Sequence, residues 1–276
     1  MNEKTNGYNF EMKNIYYLLI LTFLFSGCEK VIDVDLNDAD PQIVIEGKID
    51  GDNGLAEVKI SMTSSYFDTV PGAKVSDAMV FVNDEHGKKF RFYETAPGVY
   101  RSFEIRPETY TTYKLTVETG SEIYEAESTL NPVVPIDSVT WFYDEGSSFF
   151  DAGYYLKIHL TDPQDEQNFY RIKVYKNGVL RNSSDDILLF NDRYINGNKI
   201  DVSLFNDPYK LKDTILVQLV SLDEKVYDYY KTFSELLNNN PGSAAPANPN
   251  SNLSNGALGY FSVWTSDTMS VIIREE

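Results

Sequence analysis

The strongest constraint in this chain is a two-residue hydropathy rhythm that begins after Pro41 and persists, with interruptions, to residue 272. In "IVIEGKI", Ile43, Ile45, Gly47 and Ile49 fall on one side and Val44, Glu46 and Lys48 on the other. "AEVKISM" sets Val58, Ile60 and Met62 against Lys59 and Ser61. "AMVFVN", "KKFRFYE", "GVYRSF", "TTYKLTVE" and "SEIYEAES" continue the pattern. Successive side chains of a strand point to opposite faces, so alternation of this kind predicts strands with one buried face. Turn chemistry separates the segments at Asp52-Asn53-Gly54, Pro71-Gly72, Asp84-Glu85-His86-Gly87, Pro97-Gly98 and Thr119-Gly120.

The stretch "NPVVPIDS", Asn131 to Ser138, reads as a linker, because Pro132 and Pro135 stiffen the chain and remove two backbone donors. A second β series follows in "SVTWFY", "YYLKIHLT", "NFYRIKVY", "DILLFN", "KIDVSLF" and "TILVQLVSL". The expected fold is mainly β: two consecutive antiparallel, immunoglobulin-like β-sandwiches over residues 41–131 and 132–276. One segment breaks the rhythm. In "SLDEKVYDYYKTFSELLNNN", Val226, Tyr229, Tyr230, Phe233, Leu236 and Leu237 recur at helical spacing. Ser221 and Glu224 have capping-box spacing, and Pro241-Gly242 follows the end. This predicts an amphipathic helix at about 222–238 in the second sandwich. Residues 238–256, rich in Asn, Pro and Ser, predict a long loop before the closing strands "ALGYFSVWTS" and "DTMSVII".

The only cysteine, Cys28, ends a different kind of segment. Ile15 to Phe25 is apolar except for Thr22. As a helix it spans about 16 Å, against a hydrocarbon core of about 30 Å. It fits the apolar region of an export signal, with Lys13 as the basic flank and Ser26-Gly27 as the small cleavage end. "Phe25-Ser26-Gly27-Cys28" resembles the lipobox of bacterial lipoproteins, although Leu is usual where Phe25 stands. That resemblance implies a signal peptide of residues 1–27, cleavage before Cys28, and acylation of its thiol, which would moor the chain to membrane lipid. With a single cysteine there is no disulfide framework. Residues 28–40 form an acidic tether. Its "Asp33-x-Asp35-x-Asn37" lacks the Gly and Glu that an EF-hand loop needs at its sixth and twelfth positions, where Asp38 and Val44 stand.

Twenty-four Lys and Arg against forty-two Asp and Glu leave a net charge of −18, which opposes binding to nucleic acid or an anionic membrane face. The chemistry-bearing residues are sparse. The two histidines, His86 and His159, lie far apart in sequence, make a poor metal set, and neither neighbours a Gly-x-Ser-x-Gly elbow. No phosphate-cradling glycine loop occurs. No catalytic constellation, metal site or cofactor motif emerges. Candidate contacts for a ligand or partner are the aromatics that bracket the long loop: Tyr227, Tyr229 and Tyr230 before it, and Tyr260, Phe261 and Trp264 after it. Sandwich core is the competing reading for each. Four sites read Asp, then Ser or Thr, then an apolar residue, at Thr69, Ser138, Thr214 and Thr268. They resemble an O-glycosylation sequon, but Asp-Thr before an aliphatic residue is also how a strand begins.

Several segments together are similar to one family. "Cys28-Glu-Lys-Val-Ile-Asp-Val-Asp-Leu", "Ile-Val-Ile-Glu-Gly" at 43–47, "Ser64-Ser65-Tyr66-Phe67", "Pro97-Gly98-Val99-Tyr100" and the closing Asn252–Phe261 stretch resemble the domain of unknown function 4249, lipoproteins of Bacteroidota. The resemblance implies an outer-membrane lipoprotein whose gene often neighbours a TonB-dependent transporter. It supplies no activity and no catalytic residues. Glu29-Lys30, with Asp33 and Asp35, is a thinner charged run than surface export in that phylum generally uses, so the periplasmic and cell-surface faces both stay open. The expected function is thus a lipid-anchored binding or accessory protein that partners such a transporter in ligand capture. The alternatives are a surface hydrolase acting on polysaccharide, and a purely structural lipoprotein.

Overall fold

A computed structural model of the chain describes residues 40–64, 72–120, 122–164, 166–238 and 248–275. The expected signal segment, Cys28, residues 29–39 of the expected tether and Thr69 lie outside them.

The alternating segments form strands. In the first half these are β1 (Ile43–Asp50), β2 (Ala56–Met62), β3 (Met79–Asp84), β4 (Lys89–Ala96), β5 (Val99–Ser102), β6 (Thr112–Thr119) and β7 (Glu122–Thr129). The second half holds β8 (Ile136–Asp144), β9 (Gly153–Thr161), β10 (Phe169–Lys176), β11 (Val179–Leu180), β12 (Leu188–Asn191), β13 (Lys199–Tyr209), β14 (Thr214–Leu222) and β15 (Leu258–Ile272). One sheet runs in the order β11-β10-β14-β15-β1-β2-β5-β4-β3-β6-β7, with β12 also on β10. A smaller sheet has the order β13-β9-β8. The fold is mainly β, with open, mixed sheets.

Strand β15 differs from the two closing strands expected. It is one strand, and each half of it serves a different neighbour. Leu258 to Trp264 pairs in parallel with Val44 to Asp50 of β1. Thr265 to Ile272 pairs antiparallel with Ser221 to Thr214 of β14. Asp267, at the expected break, stays in the ladder because its carboxylate accepts from the N–H groups of Ile136 and Thr268, both at 2.8 Å.

Two apolar cores lie on either side of the Asn131 region, and the long sheet contributes to both. The first gathers Ile45, Ile49, Val58, Ile60, Leu115, Val117, Phe261 and Val263. The second packs Leu156, Ile158 and Leu160 of the small sheet with Tyr170, Ile172, Val217 and Leu219 of the long one. A third, smaller cluster lies under the helix α1 (Glu224–Leu237) and includes Phe169, Val220, Leu222, Val226, Tyr230, Tyr260 and Trp264.

The helix is capped by Asp223, whose Oδ1 accepts from Val226 N at 3.0 Å, and not by the Ser221 box. The reason is that β14 runs through Leu222, so Ser221 is still paired between Tyr170 and Thr265. Asp223 is the first residue free of the ladder. The described end of the long loop is held by its own Asn and Ser side chains. Asn252 donates to Phe261 O and accepts from Phe261 N, at 2.8 and 2.9 Å, as a paired backbone would. Asn250 meets Thr232 and Asp228 of the helix.

Candidate functional site

Five of the six aromatics that bracket the loop come together as packing. Tyr229 and Tyr230 meet Tyr260 with ring centres 4.7 and 5.2 Å apart, and Tyr227 meets Phe169 at 5.1 Å. Tyr230, Tyr260 and Trp264 are buried between α1 and the sheet, whereas Phe261 points the other way into the first core. Burial, aided by Tyr230 and Glu46, pushes the Tyr229 hydroxyl up to about 12. Burial also moves those of Tyr230 and Tyr260 well above the ordinary tyrosine range, so all three stay neutral near pH 7.

Of the described Asp-Ser/Thr sites, Thr214 and Thr268 are exposed and Ser138 is half-buried. Each preceding aspartate is already engaged in structure. Asp137 accepts from Thr161, Asp213 from Lys210 N and Asn177, and Asp267 from Ile136 N. For Asp137 and Asp213 this is the strand-start role that the motif shares with a sequon; Asp267 instead lies within β15.

The fold also assembles a cluster that spacing along the chain conceals. His159 on β9 meets Asp201 on β13 at 2.7 Å through Nδ1, and Thr140 on β8 at 2.9 Å through Nε2. The order Thr, His, Asp is that of a hydrolytic triad. Yet Thr140 is exposed, Asp201 is more than half exposed, and the cluster lies across an open sheet face. Such a face supplies no wall to exclude water or to hold donors at a developing oxyanion. Among the described residues, no group of three or more His, Cys, Asp or Glu side chains is arranged to hold a metal ion.

The feature best suited to binding is a cleft of about 590 Å3 at one end of the small sheet. The β8–β9 connection forms one wall. Gly146 sits there at φ +82°, where a Cβ would stand 2.7 Å from Ala152 N, so the loop doubles back only because this residue is glycine. Ser147 N donates to Phe150 O at 2.9 Å, and Tyr155 OH donates to Asp151 O at 2.5 Å. The opposite wall is the irregular stretch of β13 between Leu204 and Tyr209, which swings Phe205, Asn206 and Asp207 toward the loop. Phe150, Tyr155 and Phe205 lie within 5.6–5.9 Å of one another, and Phe142 stands 5.8 Å from Phe205. Phe149 is 91% exposed at the mouth. Arg181 fixes the rim: its guanidinium meets Asp186 and Asp207 at 3.0 Å and Tyr209 OH at 3.3 Å. Aromatic faces beside Ser, Asn, Asp and Arg groups can hold a ligand that is apolar on one side and hydrogen-bonding on the other. The sequence signal for this site was "Gly146-Ser-Ser-Phe-Phe150", two adjacent phenylalanines in a loop where no core demands them.

These features define a mainly β module with a loop-built aromatic cleft. The chain belongs to the family described as Domain of unknown function (DUF4249), whose model matches residues 29–270. No curated protein matches the chain.

Proposed function

We propose that the protein is a lipid-anchored binding module of the outer membrane, which captures a ligand in the aromatic cleft and partners a TonB-dependent transporter in its uptake. The observation that carries the binding role is the cleft itself, where aromatic rings and hydrogen-bonding groups converge on an accessible space. A sugar has the matching chemistry: its C–H faces stack on Phe149, Phe150 or Phe205, and its hydroxyls pair with Asn206, Asp185 and Asp207. The lipobox resemblance at Cys28 and the family support the anchor and the transporter partner. No helix among the described residues is long and apolar enough to cross a membrane.

The test is affinity electrophoresis of the full chain through gels cast with soluble polysaccharides, joined to purification of the tagged protein from native outer membrane. The expected results are retardation that Phe149→Ala with Phe205→Ala abolishes, and a stoichiometric barrel partner. Unretarded migration in every polysaccharide would remove the sugar reading, and absence of a barrel partner would remove the transporter.

The expected polysaccharide hydrolase would need a carboxylate pair, for which Asp151, Asp185 and Asp207 of the cleft are the candidates. A second reading, hydrolysis by acyl transfer, draws on the Thr140-His159-Asp201 cluster. It requires turnover of an activated ester that His159→Ala abolishes; the open face leads us to expect none.

A further inference from the structure

We infer that Lys48, Arg171, Lys173, Ser262 and Trp264 form a binding site for a small oxyanion of the phosphate or sulfate type, on the outer face of the long sheet beside α1.

Strand alternation puts these groups on one side. Arg171 and Lys173 share a face of β10 with Phe169, which packs under the helix. Ser262 and Trp264 share a face of β15 with Tyr260, while Phe261 and Val263 point into the first core. Lys48 lies opposite Ser262 in the β1–β15 pair. The cations lean over aromatic rings of the same face. Lys173 Nζ is 4.1 Å from the Trp264 ring centre, the Arg171 guanidinium carbon is 4.1 Å from that of Tyr230, and Lys48 Nζ is 5.7 Å from that of Tyr260.

Unmet donors on this face point to an absent acceptor. None of the three cations forms an ion pair with a described carboxylate, a state they share with most of the described Lys and Arg side chains, so their charges are available to a ligand. Three buried donors on this face, Arg171 Nε, Ser262 Oγ and Trp264 Nε1, have no hydrogen-bond partner among the described residues. Ser262 is fully buried and Trp264 is nine-tenths buried, so bulk water does not satisfy them. The unmet groups can all donate, and three of the five side chains are cationic; that is the complement of an oxyanion and of neither a metal ion nor a hydrocarbon.

The charge balance gives the site a pH dependence. Facing Lys173 are Arg171 from its own strand, Lys48 and Asp50 from β1, and the Trp264 ring from β15. Tyr229 and Tyr230 of α1 and Tyr260 of β15, with Glu46 beside Tyr229 and Tyr260, gather around Arg171 instead. The carboxylate of Asp50 already accepts from Asp52 N, Asn53 N and Asn53 Nδ2 in the adjoining turn. Burial, with Arg171 and Lys48 adding to it against Asp50, lowers the Lys173 ammonium to about 7. A bound anion favours the protonated form, so binding takes up a proton and weakens as the solution becomes alkaline.

The test follows the indole N–H resonance of Trp264 in the full chain, identified against Trp141→Phe, during titration with sodium sulfate or inorganic phosphate at constant ionic strength. We expect a saturable shift in the millimolar range. Affinity should be about tenfold weaker in Lys173→Met, as for loss of one charge-assisted hydrogen bond. With sulfate, whose charge is constant, binding should be tighter at about pH 6 than at about pH 9, on either side of the Lys173 transition. Lys48→Gln, the more peripheral change, should also weaken binding. An indole resonance unmoved by both anions would overturn the site. So would an equal response to chloride, or unchanged affinity in a folded Lys173 or Lys48 variant.

Discussion

Gly47 lies directly against Phe261 across the parallel pair of β1 and β15. A Cβ at Gly47 would stand 2.8 Å from the Phe261 ring and 3.3 Å from a Leu115 methyl. Phe261 and Leu115 are both fully buried, so neither has room to retreat. The close approach brings the last strand onto the first. Gly47→Val should therefore destabilise the protein by about 3 kcal/mol through overpacking. Chemical denaturation measures it, and a midpoint equal to wild type would show that the contact is looser than described.

The start of α1 depends on Asp223. One carboxylate oxygen accepts from Val226 N and the other from Ser128 Oγ on β7, and Ser128 Oγ in turn accepts from Val263 N at 2.9 Å. A single side chain thus ends β14, caps the helix and ties it to β7 and β15. Asp223→Ala should cost about 1–2 kcal/mol, the upper part of the range for a lost N-cap, because Ser128 also loses its acceptor. Asp223→Asn keeps an acceptor oxygen and should lose less. Equal melting temperatures for the Ala variant and wild type would contradict this.

Period-two alternation made most strands legible because it reports which side of each strand meets a core. The turns were legible too: Asp84 Oδ1 accepts from His86 N and Lys88 N in the predicted Asp84–Gly87 turn. Alternation says nothing about which strand lies beside which. The β1–β15 pair joins residues more than two hundred positions apart, and nothing in either segment names the other. For the same reason the Thr140-His159-Asp201 cluster and the Phe150-Tyr155-Phe205 cleft were hidden, since each needs three segments to meet. Lys173 is a different case. It stands on the face of β10 opposite the apolar core, yet the Trp264 ring covers it.

That enclosure makes stability depend on pH. Lys173 titrates near 7 in the native state against an ordinary 10.5. Below about pH 7 both states hold the proton and the burial penalty is complete. Between about 7 and 10.5 the unfolded chain holds more protons than the native one, so stability rises with pH. Above that window both are neutral and the penalty is gone. Lys173→Met should remove this slope, and its advantage over wild type, on the order of 3–5 kcal/mol at about pH 6, should vanish toward pH 10.5. Paired urea titrations across the window check it; parallel stability curves for the two proteins would refute the assignment.

Arg181 is the joint on which the aromatic cleft is hung. Its side chain and that of Asp186 are 11% and 7% exposed and meet at 3.0 Å, while Asp207, its other partner, is 88% exposed. The two pairs should behave differently. Arg181→Met leaves the Asp186 carboxylate buried with only Ser183 and Asn206 as donors, and should cost about 3 kcal/mol. Asp207→Asn removes a charge already screened by water and should cost under about 1 kcal/mol. The same arginine also holds the Asp207 carbonyl at 3.1 Å, which keeps the irregular stretch of β13 turned toward Phe150. Arg181→Met should therefore lower ligand retention even where the protein remains folded, whereas Asp207→Asn leaves the wall in place, removes only one hydroxyl partner, and should lower retention less. Thermal melts with affinity electrophoresis separate the outcomes, and retention that survives Arg181→Met would show that the cleft wall stands without its brace.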